Sequence, residues 1–205
     1  MNLFFAPFPM TTLEWGIEIV ASVVISYVLI STVEYIFHRF VMHQGFWEPV
    51  YVIAPPLGNL LYDHRKLHHE TYYQEFNHEP DPHGREVNQR LAPWHTVMGA
   101  LFSLPYILLT VWLISPIPAI IFFTLAAAHN ILWNTIHPEM HNPRYPFWTK
   151  WAPYKLLARR HYLHHKHTRT NYNIVYPFMD YVVGTVSKAS PEDEEKIRQM
   201  GFSKS

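Results

Sequence analysis

No lysine or arginine occurs in residues 1–38 or 91–143, and those two gaps hold the long apolar runs of the chain. Residues 13–37 carry an apolar centre at 19–33, with Glu14 and Glu18 towards one end and Glu34 at the other. At a helical rise of about 1.5 Å per residue, such a run reaches across a bilayer. Residues 96–114 and 117–136 form two more runs parted by Ser115 and Pro116, which predicts an antiparallel helical hairpin. Pro105 falls inside the first of these, where a membrane helix tolerates it. A weaker run, 49–62, is broken by Pro55, Pro56 and Gly58 and reads as re-entrant or interfacial. The mean hydropathy of −0.08 hides this segregation. No basic segment or small-residue cleavage site precedes the first run, so a cleaved leader is not expected there.

Basic residues flanking a span bias it toward the cytoplasm. Arg39, Arg65, Lys66, Arg85 and Arg90 follow the first run, and Arg144, Lys150, Lys155, Arg159 and Arg160 follow the third. The N-terminus and the loop at 115–118 carry none. Blocks 38–95 and 137–205 are therefore expected on the cytoplasmic side. The expected fold is an all-α integral membrane protein of 205 residues in a single domain, with about three to four membrane-embedded helices and a cytoplasmic helical cap. No strand pattern appears. Residues 74–94 read as a polar, Pro-rich connector, and the tail from Pro191 as a short charged helix with a frayed end. The location implied is a multi-pass protein of a bacterial inner membrane or endoplasmic reticulum.

The chain has 15 histidines and no cysteine. Disulfides, thiolate zinc sites and iron–sulfur clusters are thereby excluded. Any metal must use imidazole and oxygen ligands, which suits iron, zinc, copper or manganese. A formal net charge of zero and 16% charged residues give no support for nucleic acid as a partner.

Ten of the histidines form four clusters. His38 and His43 are five residues apart at the end of the first run. On an ideal helix that spacing leaves them about 140° apart, so they converge only at a helix end or across a kink. His64 and His68 are one turn apart on one face, with His69 beside them. His137 and His141 repeat the one-turn pair, with Pro138 suited to a first helical turn. His161, His164 and His165 place three imidazoles in one sector. One helix seldom gives an ion more than two or three ligands, so several helices must each contribute. Ten imidazoles are too many for one ion. Two ions with about five each suit octahedral-type sites with a position left for oxygen, whereas four-coordinate zinc would leave histidines idle.

The remaining histidines have quieter expectations. His78, His83 and His95 lie in the connector, and His167 follows the last cluster. His129 sits inside a span, where an ionisable group is costly and usually has a purpose. Glu34, Asp63, Glu139 and Asp180, with His129 and Asn134 (and its neighbour Asn130), are candidates to orient the imidazoles through their outer ring N–H. Helix capping or surface charge competes with that role for each. Trp47, Trp94, Trp133, Trp148 and Trp151 suit an interfacial belt, some lining a substrate slot.

In order, the clusters read EYIFHRFVMH, DHRKLHH, HPEMH and RRHYLHH, the last followed by NYNIVYPFMDYVVGT. This order resembles the fatty acid hydroxylase and sterol desaturase superfamily of histidine-box membrane enzymes over about residues 30–187. The first box is also similar to that of bacterial carotene hydroxylases. The resemblance implies two iron ions, with zinc a possible substitute, and O2 as co-substrate. It implies hydroxylation or desaturation of a C–H bond in a lipid substrate drawn from the bilayer. No cytochrome b5 domain is fused within these residues, so a separate electron donor of ferredoxin or cytochrome b5 type is expected. Three clear runs stand where many members have four. The rival of another class is a membrane metal-binding or transport protein, which would need polar groups through the bilayer midplane. No H-E-x-x-H motif supports a zinc hydrolase.

Overall fold

The computed structural model describes residues 11–44, 52, 55–74, 76, 97, 99–101 and 103–203. The first helix, α1 (Thr12–Ile36), opens on a capping box. The Thr11 hydroxyl accepts the Glu14 N–H at 3.3 Å, and the Glu14 carboxylate accepts the Thr11 N–H at 2.7 Å. Two donors at the helix start are thereby satisfied. Without a break, α1 widens into a π-helical stretch, π1 (Phe37–Gln44). There follow α2 (Pro55–Leu61), π2 (Tyr62–Tyr72), α3 (Leu104–Leu113), α4 (Ile117–His141), α5 (Pro146–Lys150), α6 (Ala152–Lys166), α7 (Phe178–Val183) and α8 (Pro191–Gln199). No strand occurs among the described residues.

Two helices are long and apolar enough to cross a membrane: α1 with π1, at 33 residues, and α4, at 25. Their solvation is inverted relative to a soluble helix. The stripe Glu18, Ser22, Ser26, Ile30 and Glu34 is buried, while Ile17, Val20, Val24 and Ile25 point outward. That is the arrangement hydrocarbon surroundings favour, with small and polar groups packed inside. The two helices run parallel. Near one end Glu18 accepts a hydrogen bond from Ser115, just before α4, and near the other Glu34 pairs with His129. Their C-terminal ends therefore arrive side by side, which places the first and third histidine clusters together.

A conventional apolar core lies beyond those ends. Phe76, Ile136, Met140, Tyr154, Ala158 and Ile174 are buried there, with Ile197 and Phe202 closing one side. Several expectations need correcting. Residues 191–203 do not fray: Ser190 caps α8, Ile197 and Phe202 are buried, and the Phe202 ring meets Phe76 and Tyr154 with centroids 6.1 Å apart in each case. Pro105 sits in the first turn of α3, where its missing N–H costs nothing. Pro138 instead lies inside α4, because the helix continues to His141 and no new helix begins at the third cluster. Trp133 is buried in the cap core, away from any interfacial belt. Of the second run, residues 97, 99–101 and 103–114 are described, and α3 covers ten of them. Residues 96, 98 and 102 lie outside the described residues, as do most of 49–54 and of the connector, His78, His83 and His95, and Trp47 and Trp94.

Candidate metal centre

The ten clustered histidines converge on two adjacent points, and the winding of each helix decides which point each ring reaches. His38, His43, His64, His69 and His164 can offer nitrogens all within 4.8 Å of one another, and so can His68, His141, His161 and His165. His137 joins the second set, its Nε2 lying 2.9 Å from that of His161. Each set thus holds five. The wider winding of π1 and π2 brings residues five apart much closer in angle than the roughly 140° of an α-helix. That brings His38 with His43 and His64 with His69. In α4 and α6 the ordinary period brings His137 with His141 and His161 with His165.

Two expectations about facing fail. His64 and His68 do not share a site: His64 falls in the first set and His68 in the second. The three imidazoles of the fourth cluster do not share one sector, since His164 crosses to the first set, 2.9 Å from His43. The sets touch where the His69 and His165 rings stack, centroids 4.0 Å apart.

The converging atoms are Nε2. In the first set His38 to His64 is 2.9 Å, His43 to His38 is 3.1 Å, and His64 to His43 and His69 to His64 are each 3.2 Å. In the second, His161 stands 2.9 Å from His141 and 3.2 Å from His165. At a metal–nitrogen length of about 2.1 Å, neighbouring ligands on an octahedron lie about 3.0 Å apart. The spacing of these lone pairs fits such a shell. His68 is fully buried with neither ring nitrogen hydrogen-bonded, which leaves a cation as the natural partner for its lone pair.

The opposite ring nitrogen is held by main chain. His38 Nδ1 donates to the Tyr172 carbonyl, His141 Nδ1 to Phe76 at 2.8 Å, His164 Nδ1 to Thr170 at 2.7 Å and His165 Nδ1 to Tyr73 at 3.1 Å. A carbonyl accepts only, so each bond fixes the tautomer with its lone pair on Nε2. Burial, reinforced by neighbouring imidazoles, holds the pKa of His64, His68, His69, His161 and His165 well below the ordinary histidine value. For His164 burial brings it to about 4, against the opposing pull of the Thr170 carbonyl. These rings are neutral near pH 7, the form that ligates.

The carbonyl anchors were invisible in the sequence, because any residue can supply a carbonyl. A local signal does exist in backbone strain. Phe76 and Asn171 have φ of 65° and 51°, a region side chains seldom enter, and both sit at the anchoring segments.

The carboxylates proposed to touch the imidazoles act one step further out. Asp180 accepts the N–H of Tyr172 at 2.8 Å and of Asn173 at 2.9 Å, the Thr185 hydroxyl at 2.7 Å and Arg160 at 2.8 Å. It thus fixes the segment whose carbonyl holds His38. Burial raises its pKa, and the bonds from Thr185, Asn173, Arg160 and Tyr172 oppose that rise. Gly184, at φ 76°, closes the loop so that the Thr185 carbonyl meets the Asn171 N–H at 2.8 Å. Glu34 accepts the N–H groups of Ile174, Val175 and Tyr176 and pairs with His129 at 3.1 Å. Glu139 accepts the N–H groups of Arg144 and Tyr145 at 2.8 and 3.0 Å, closing the turn after α4. Asn134 donates to Asn130 at 3.1 Å. Asp63 is half-buried at the start of π2, and burial raises its pKa.

A mostly apolar pocket of about 80 Å³ opens between α1, π1, residues 99, 100 and 103, and α4, and reaches His38. Ile30, Val33, Phe37, Met42, Phe122 and Ala126 supply its greasy walls.

The chain is 29% identical over 136 residues to the very-long-chain aldehyde decarbonylase GL1-4 of Oryza sativa subsp. indica and of subsp. japonica. It is also 29% identical over 149 residues to GL1-7 of subsp. japonica, which carries the same activity name. These matches cover 63% and 65% of this chain but 22% of each relative, so the chain spans about a fifth of their length. No family model matches it, and no solved structure does.

Proposed function

We propose that this chain is a membrane-embedded non-haem enzyme of the fatty acid hydroxylase and sterol desaturase superfamily. It uses O2 to oxidise an aliphatic C–H bond of a lipid at two iron ions, with hydroxylation the outcome. The observation that carries this is the sorting of ten imidazoles, nine of them buried, into two touching sets of five, each with Nε2 atoms at octahedral spacing. One set would hold each ion. Iron there would supply the reduction of O2 and the attack on the C–H bond.

The chain's own residues do the rest. The carbonyls of Tyr73, Phe76, Thr170 and Tyr172 hold imidazoles in the ligating tautomer. The pocket walls align an acyl or polycyclic chain beside His38 and keep water away, which protects an oxidising centre from side reactions. Electrons come from a separate donor of ferredoxin or cytochrome b5 type. The cap faces the cytoplasm, following the basic residues that flank it.

A second outcome at the same centre, cleavage of the C–C bond beside an aldehyde, is favoured by the activity named for the rice relatives. Desaturation is the third. Metal analysis of the purified protein, together with mass analysis of lipids from expressing cells, tests the reading. Two iron ions per chain and a product heavier by one oxygen support it. Loss of two hydrogens, or of one carbon, redirects the outcome to desaturation or cleavage. Stable zinc content with no lipid product, all ten histidines being intact, overturns it.

A further inference from the structure

The apolar pocket contains hydrogen-bond donors that no described residue uses. Ser103 Oγ, Asn130 Nδ2 and Trp133 Nε1 are buried without a partner, and all three residues line the pocket. Ser103 is 3% exposed and Trp133 2%. Asn130 has its carbonyl oxygen occupied by Asn134, so its amide N–H is the part left over. Ser103 occupies the N-cap position of α3, yet its hydroxyl makes no capping bond. Idle donors are expensive where no water competes, and most of all on helices with hydrocarbon outside.

These donors stand beside the histidine sets. Ala126, His129, Asn130 and Trp133 share one face of α4, and His137 follows one turn later. The Trp133 ring lies 5.8 Å from that of His38 and 5.2 Å from that of His137, centroid to centroid, so it borders both sets. Glu34 also lines the pocket, 3.1 Å from His129, so an anionic group entering there would meet a carboxylate.

We infer that Ser103, Asn130 and Trp133 bind a neutral oxygen of the lipid, a hydroxyl or a carbonyl. They thereby favour an oxygen-bearing chain over plain hydrocarbon and over a carboxylate. The inference rests on the reading of this pocket as the lipid slot.

The test is competitive binding of octadecane, octadecanol and octadecanoate to the detergent-purified, metal-loaded protein. Octadecanol is expected to bind at least about tenfold more tightly than octadecane, with octadecanoate no better than the alkane. Ser103→Ala, Asn130→Leu and Trp133→Phe each cut the alcohol-to-alkane ratio about three- to tenfold, and Ser103→Thr keeps it. Equal affinities, a fall in all three ligands alike in the variants, or no binding by any of them overturns the inference. Lipid oxidation without an oxygen preference sinks this inference and leaves the proposed function standing. An oxygen preference in a protein that forms no oxidised lipid supports it and removes that function.

Discussion

The two ends of this molecule are built on opposite rules. Along α1 the interior is Glu18, Ser22, Ser26 and Glu34 and the exterior is valine and isoleucine. In the cap, Ile136, Met140, Tyr154 and Ile197 are inside, as in any water-soluble domain. The difference teaches which solvent each end is made for, since apolar side chains gain from burial only where water is the alternative. It also separates two uses of buried polar groups. In the cap they converge on a point and leave lone pairs bare. Along α1, Glu18, Ser31 and Glu34 are matched by hydrogen-bonding neighbours and serve as fasteners. α1 is thus more polar inside than its composition suggests, and three of those groups are tied into structural bonds.

The largest test of this contrast is removal of a ligand from each set. His161→Ala and His43→Ala are each expected to lose at least one metal ion per chain by elemental analysis, and to cut lipid oxidation at least about a hundredfold. α1 and α4 should keep their helicity by circular dichroism. If metal content is unchanged, the sets are not metal sites.

Next is Glu34→Ala, at the seam between the halves. It leaves His129 buried without its partner and frees three N–H groups of residues 174–176. A loss of about 3–5 kcal/mol is expected from thermal unfolding in detergent, together with lower metal occupancy. Retained stability would mean the seam is held elsewhere.

A smaller effect separates the two faces of α1. Ser26→Leu overpacks the buried stripe and should cost about 1–3 kcal/mol, whereas Val24→Leu on the outer face should be close to neutral. Equal effects would erase the inside-out assignment.

The smallest concerns α8. Ser190→Ala removes the cap on the Asp193 N–H and should cost about 1 kcal/mol. Burial raises the Asp193 carboxyl, but bonds from Ser190 outweigh it and hold the pKa below the ordinary value. Its contribution is therefore present above the unfolded carboxylate range, about 4, and fades as pH falls through the lowered folded value. A thermal stability series against pH, with and without Ser190, checks the sign.

Much of this was legible in the sequence because spacing and hydropathy are local properties. The gaps without lysine or arginine marked α1 and α4, and the four clusters marked the ten histidines that come together. The tail resemblance around Asn171, Asp180 and Thr185 marked a loop whose purpose, holding the His38 carbonyl anchor, became clear only in three dimensions. Phe202 was missed because one phenylalanine in a charged tail has no periodic partners to announce a buried face.

Sequence alone determined which residue types could meet a metal, and that they number ten. The tertiary structure decided how they divide. His68 and His69 are neighbours in the chain yet serve different sets, as do His164 and His165, while His43 and His164 are brought to 2.9 Å across 121 residues. The reason is angular: chain neighbours lie about 100° apart around an α-helix and so face different points, while the wider π winding draws residues five apart toward one face.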